Sequence, residues 1–167
     1  MIIQKSRLYA YLTAFGVLTL DQLTKRLALG GLELHQPEAV LGNFLRFTLA
    51  WNQGAAFSMP WGGPLFLTVI TAAAVVMVSI FIWKLQKLST LFLASLGAVL
   101  GGALGNLMDR FMYGKVVDFI DIGFTGWRWP TFNVADIAIT VGGVILVILY
   151  RKEAAAEKVM KEETDGS

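Results

Sequence analysis

Apolar residues run along this chain in four long blocks. The first covers Leu8 to Leu29 and is interrupted by Asp21, Lys25 and Arg26. The second, Pro64 to Leu85, is apolar but for Ser and Thr until Lys84. The third runs from Ser89 to about Leu107, and the fourth from Asn133 to Tyr150. Each is long enough, as a helix, to cross a hydrocarbon core ~30 Å thick. The two longer connections follow another rhythm. In FLRFTLAW (Phe44–Trp51) apolar positions alternate in part with Arg46 and Thr48, which predicts a strand. VVDFIDIGFTGWRWPTF is rich in β-branched and aromatic residues and broken by Gly123 and Gly126, so it predicts two short strands and a turn.

Lys and Arg set the direction of threading, since they collect on the cytoplasmic side of membrane spans. Lys5 and Arg7 precede the first block, Lys84 and Lys87 fill the tight turn after the second, and Arg151 and Lys152 follow the fourth. Alternating spans put all three places on one side. Both termini are then cytoplasmic, and the connections about Gly30–Gly63 and Met108–Phe132 face outward. A cleaved signal peptide is the rival reading of the N-terminus. It fits poorly, because Asp21, Lys25 and Arg26 stand where such a segment is uncharged. Trp51, Trp61, Trp127 and Trp129 all fall in the outer segments, as expected of an interfacial belt or a small sheet lying on the bilayer.

Composition agrees with this plan. The 167 residues are 56% hydrophobic and only 16% charged, against about 45–50% and about 25% in soluble domains. The expected fold is an α-helical integral membrane protein with four transmembrane helices and a small outward-facing β-sheet. Residues 1–152 form its single domain, and 153–167 a charged cytoplasmic tail, either a helical extension or a disordered end. A net charge of +2 is too small to point to nucleic acid. There is no cysteine and one histidine, His35, so thiol catalysis, disulfides and a His- or Cys-ligated metal are not expected. No metal or other cofactor is expected.

Ionisable groups near hydrocarbon are costly, and those present converge on one level. Asp21 and Lys25 share a face in the outer half of the first span. Asn106, Asp109 and Arg110 stand at the outer end of the third, where Asp109 and Arg110 suggest an interfacial ion pair. Asn133 and Asp136 head the fourth; Asn52 and Asp118 lie in the outer connections. Asn133 and Asp136 also suit the N-cap and N3 positions of a helix, a purely structural use. The rows Gly97, Gly101, Gly105 and Ala94, Ala98, Gly102 would let neighbouring helices approach the third span closely.

The chemistry this set supplies best is a pair of carboxylates sharing a proton, able to activate water and protonate a leaving amine. A Ser–His–Asp triad lacks a histidine at the site, while a Ser–Lys pair of Ser58 and Lys25 is conceivable. Spacing leaves the pair open among Asp21, Asp109, Asp118, Asp121 and Asp136. A proton relay in a transporter, or a non-catalytic scaffold, are the other classes; a relay should reach the midplane, where the second and fourth blocks have no ionisable residue.

Five short blocks in order resemble the lipoprotein signal peptidases, the signal peptidase II family of bacterial membrane aspartic peptidases. They are LDQLTK (20–25), NQGAAFS (52–58), GGALGNLMDR (101–110), VVDFI (116–120) and FNVADIAI (132–139). The resemblance covers nearly the whole chain except the tail. It implies four transmembrane helices with an outward β-cradle and an outer helical element. Asp118 and Asp136 would be the catalytic dyad, with Asn52, Gly54, Asn106, Arg110 and Asn133 orienting it or binding the substrate backbone, and Asp21 and Lys25 as structural support or substrate contacts. It implies cleavage of prolipoproteins just before a diacylglyceryl-modified cysteine, by a multi-pass enzyme of the bacterial inner membrane working at its outer face. The expected partners are those substrates and membrane lipid; the expected state is a monomer.

Overall fold

The structure, a computed structural model, describes residues 2–54, 63–84 and 89–165. Ser58, Trp61, Leu85 and Lys87 lie outside the described residues, as does most of the block NQGAAFS. The elements are α1 (Ile2–Gly31), β1 (Pro37–Leu41), β2 (Leu45–Asn52), α2 (Pro64–Lys84), α3 (Thr90–Tyr113), β3 (Val116–Phe124), β4 (Trp127–Arg128) and α4 (Val134–Asp165). Three helices, α2, α3 and α4, hold stretches long and apolar enough to cross a membrane: Leu65–Lys84, Thr90–Tyr113 and Val134–Lys152. The long α1 is not among them; its C-terminal half carries Asp21, Gln22, Lys25 and Arg26. Large apolar side chains such as Phe15, Leu27, Leu65, Met77, Val141 and Val147 point away from the protein. That much exposed apolar surface is unfavourable in water and natural against lipid.

Helix α3 is the hub and packs against the other three helices. Its small residues explain how. A Cβ on Gly97 would lie 2.2 Å from the Ala10 carbonyl oxygen, and one on Gly101 2.4 Å from that of Ala14, both on α1. One row therefore admits the α1 backbone. The next row faces α4, since a Cβ on Gly102 would lie 2.5 Å from the Ala135 carbonyl oxygen. Ala10, Ala14, Ile82, Leu93, Leu96 and Leu100 close the core between α1, α2 and α3.

The four strands pair antiparallel in the order β1-β2-β3-β4. Ala28, Leu49, Val117 and Phe119 form a second core that fastens this sheet to the end of α1. Helix α3 stops at Gly114, whose φ of 71° is left-handed and whose N–H donates to the Arg110 carbonyl. This reversal leads at once into β3, so the strand begins against the helix that it leaves.

Several boundaries differ from those expected of the sequence. α1 starts at Ile2 and α3 runs past Leu107 to Tyr113; the charged tail takes its helical alternative, since α4 continues to Asp165. Phe44 belongs to the turn before β2. Strand β1 was not expected: PEAVL has no alternation, and all five residues are exposed. The outer helical element implied by the resemblance is not found among the described residues.

Candidate active site

Asp118 lies in β3, opposite Ala50 of β2, while Asn52 faces Val116. A register shift in β2 between Phe47 and Ala50 sets this alignment. Asn52 and Asp118 are then diagonal neighbours on one face. The Asn52 amide donates to Asp118 Oδ2 at 2.9 Å, and Asn52 Oδ1 accepts from the Gly54 N–H at 2.7 Å. That second bond fixes which end of the amide meets the carboxylate. Gly54 turns there with φ 90°, and a Cβ would strike the Leu67 side chain. Glycine is needed on both counts.

Asn133 precedes α4 and joins the two halves of the site. Its Oδ1 accepts from the Asp136 N–H at 3.0 Å, and Asp136 Oδ2 accepts from the Asn133 N–H at 3.2 Å. This reciprocal cap is the structural use expected of the pair. The same side chain also points at Asp118: its Nδ2 donates to Asp118 Oδ1 at 2.7 Å, with Asn106 Oδ1 and the Val117 carbonyl each at 3.2 Å. Asn106 in turn donates from Nδ2 to Asp136 Oδ1 at 2.8 Å. Both aspartates are thus held by neutral amides.

Beneath them lies a buried charged cluster. Lys25 Nζ is 2.8 Å from Asp21 Oδ2, 2.8 Å from Asp109 Oδ2 and 2.9 Å from Asn106 Oδ1. All three charged side chains are at most 2% exposed. Asp21 Oδ1 accepts from the Ala135 N–H at 2.9 Å, Asp109 Oδ2 from the Val117 N–H at 3.0 Å, and Asp109 Oδ1 from Gln22 at 2.9 Å. Asp109 therefore pairs with Lys25 and not with its neighbour Arg110. The half-buried Arg110 donates to the Asn106 carbonyl at 3.2 Å, and its charge lies in the field of Asp136, Asp109 and Asp118. Asp121 points to the other face of β3, where Arg128, Arg46 and Thr48 hold it. His35 is exposed in the loop before β1.

Asp118 is 1% exposed. Burial, and then the nearby charge of Asp136, push its carboxyl up to about 7, against the amides of Asn52 and Asn133 and the charge of Lys25. It borders a cavity of about 300 Å³ lined by Ala50, Trp51, Asn52, Gln53, Pro130 and Thr131. Asp136 borders a different cleft, of about 280 Å³, lined mostly by Ile122, Trp129, Phe132, Ile137 and Val141.

The family model for Signal peptidase (SPase) II matches residues 13–151 of this chain. The chain belongs to the signal peptidase II family. Among its relatives is a lipoprotein signal peptidase of Teredinibacter turnerae, 46% identical over 141 residues, with 82% of this chain and 83% of the relative covered. Another, from Polynucleobacter necessarius, is 45% identical over 138 residues and covers 80% and 83%. A solved structure described as a bacterial membrane enzyme superposes with a TM-score of 0.79 at 31% identity, covering 88% of this chain and 90% of that one.

In this signal peptidase II family member, the residues singled out from sequence gather in one place: Asp21, Lys25, Asn106, Asp118, Asn133 and Asp136 form one connected network, with Asn52 and Gly54 at its edge. Gln22 and the partner of Asp109 were missed. Gln22 stands beside Asp21 within LDQLTK, and Asp109 lies four residues beyond Gly105 on α3; their spacing alone does not reveal that they meet.

Proposed function

We propose that this chain is a membrane aspartic endopeptidase that removes the signal peptide of prolipoproteins by cutting just before the diacylglyceryl-modified cysteine, with Asp118 and Asp136 as its catalytic pair. One observation supports this choice above the others. Of the five candidate acids, Asp21 and Asp109 are paired with Lys25, and Asp121 with Arg128 and Arg46. Among the described residues, Asp118 and Asp136 take no hydrogen bond or ion pair from a cation; amides and backbone N–H groups hold them. A carboxylate fixed to a cation stays ionised and is a poor proton carrier. A pair held by neutral donors can share and pass a proton.

Asp118, raised to about 7, starts the reaction protonated, and Asp136 takes a proton from water. The water oxygen bonds to the scissile carbonyl carbon while Asp118 gives its proton to the carbonyl oxygen. The diol collapses, the C–N bond breaks, and the leaving amine of the cysteine takes up the proton held by Asp136. The signal peptide leaves with a new carboxyl group and Asp118 recovers its proton. Asn52, Asn106 and Asn133 hold both acids in place, and Arg110 keeps a positive charge near them. The cavity beside Asp118, with Asn52, Gln53 and Thr131, suits a peptide backbone. The apolar cleft beside Asp136 suits the acyl chains of the modified cysteine.

The same reading has α1 to α4 as four spans in the inner membrane of a bacterium, with both termini inside and the site at the outer face. The distribution of Lys and Arg supports it. Residues 1–152 are one unit that works as a monomer among lipids, and 153–167 its cytoplasmic tail. The test is cleavage of a diacylated lipobox peptide by the purified protein. Asp118→Asn and Asp136→Asn should each abolish it while the protein still inserts. Wild-type kcat/KM should fall as pH rises through about 7, where Asp118 loses its proton. Full activity in either variant ends the reading.

A further inference from the structure

We propose that Asp21, Lys25 and Asp109 form a positioning bracket that sets the separation of Asp118 and Asp136, with Gly105 as the residue that makes room for it. This rests on the proposed dyad and extends it to Asp109 and Gly105, which carry none of the reacting atoms. The geometry is repeated on both sides. Asp109 accepts the N–H of Val117, the residue just before Asp118; Asp21 accepts the N–H of Ala135, the residue just before Asp136. A single ammonium, Lys25 Nζ, lies 2.8 Å from each of these two acids. The strand carrying one aspartate and the helix carrying the other are thereby tied to one buried point.

Neither N–H needs a charged partner for the fold. Ala135 lies in the first turn of α4, whose N–H groups have no partner within the helix and are commonly met by water or a hydroxyl. Val117 lies where the outer edge of β3 is open, because β4 is only Trp127–Arg128 and pairs with Gly123 and Phe124. Using two buried carboxylates and a buried lysine for this is expensive, and a uniformly apolar packing would serve stability as well. What the ion triad supplies is a fixed distance: three charged groups in close contact cannot drift apart without leaving a charge unpaired in a water-poor interior. Lys25 also donates to Asn106, which holds Asp136 directly. Gly105 completes the device. A Cβ there would lie 2.3 Å from Asp21 Oδ2, the oxygen that meets Lys25, and its nearest neighbours would all be atoms of the Asp21 side chain. Gly97 and Gly101 admit a helix; Gly105 admits a carboxylate.

Gly105→Ala, Asp109→Ala and Asp109→Asn test this in the full-length protein with a fluorogenic diacylated lipobox peptide. Folded sites are counted by binding of the same lipopeptide with a reduced, uncleavable bond. Asp118→Asn and Asp136→Asn are measured first; if either still cleaves, the dyad reading is what fails. If both are dead, the bracket predicts that kcat per folded site drops about 10–100-fold in Asp109→Ala and Gly105→Ala, with KM within about threefold, since misplacing a reacting group by about 1 Å costs up to 10² in rate. Asp109→Asn, which keeps an acceptor for Val117, should lose less than Asp109→Ala. A purely structural role would lower the number of folded sites and leave kcat per site alone. Wild-type kcat per folded site in these variants, or a change confined to KM, overturns the bracket.

Discussion

Replacing Asp118 by Asn should make the protein inactive and, at alkaline pH, relatively more stable. The folded carboxyl lies at about 7, above the ordinary 3.8. Between those values the folded state keeps a proton that the unfolded chain releases, so stability falls as pH rises. With one pKa unit worth about 1.4 kcal/mol, raising the pH from 5 to 8.5 costs the wild-type protein about 2–3 kcal/mol through this one group. The amide that replaces it cannot ionise and escapes that loss. It carries a different cost at every pH, because its NH2 meets the donor of either Asn52 or Asn133 where an oxygen was, at about 1–3 kcal/mol. The variant should therefore be the less stable protein at pH 5 and equal or better at pH 8.5. For a chain of 167 residues each kcal/mol moves the melting temperature by about 2–4 °C. Thermal unfolding of both proteins in the same detergent should show the gap shifting by about 5–10 °C towards the variant between the two pH values. Contributions from titrating groups that do not interact with Asp118 cancel in that difference. Parallel curves would refute the claim that burial keeps a proton on Asp118.

Asp121→Asn should leave kcat within about threefold of wild type while costing about 1–3 kcal/mol, because it removes the charged partner of Arg128 on the opposite face of β3; cleavage and melting assays read the two effects separately. Gly97→Ala drives a Cβ into the Ala10 carbonyl and should destabilise by about 1–3 kcal/mol, whereas Gly16→Ala, with open space around it, should be neutral or slightly stabilising by melting temperature.

Helix positions were legible because hydrocarbon thickness and apolar run length are tied by simple geometry, as in Leu65–Lys84. The small-residue rows of α3 could also be read, although not which helix each row would meet. The convergence of the polar residues on one place was legible too, since a charge in a span needs a reason. What could not be read was which acid meets which base. Asp109 stands next to Arg110 in sequence, yet an α-helix turns adjacent residues about 100° apart, and Asp109 meets Lys25 of α1 instead. Spacing likewise left Asp118 and Asp121 equivalent, although strand pleating sends residues of odd separation to opposite faces. The choice between them from sequence rested on family resemblance, and from structure it rests on their partners. β1 escaped notice because its partner strand, and not any pattern of its own, makes it a strand.

The bond from Ala135 to Asp21 spans 114 residues of chain. α1 leaves the ribosome before α3 and α4, so Asp21 and Lys25 are made long before the groups that complete their surroundings. Lys25 gains Asp109 and Asn106 only with α3, and Asp21 gains the Ala135 N–H only with α4. The proposed hydrolytic centre consequently has no partial version. A chain still being synthesised would hold one aspartate of the proposed pair without the other, so the proposed activity begins only when α4 is in place.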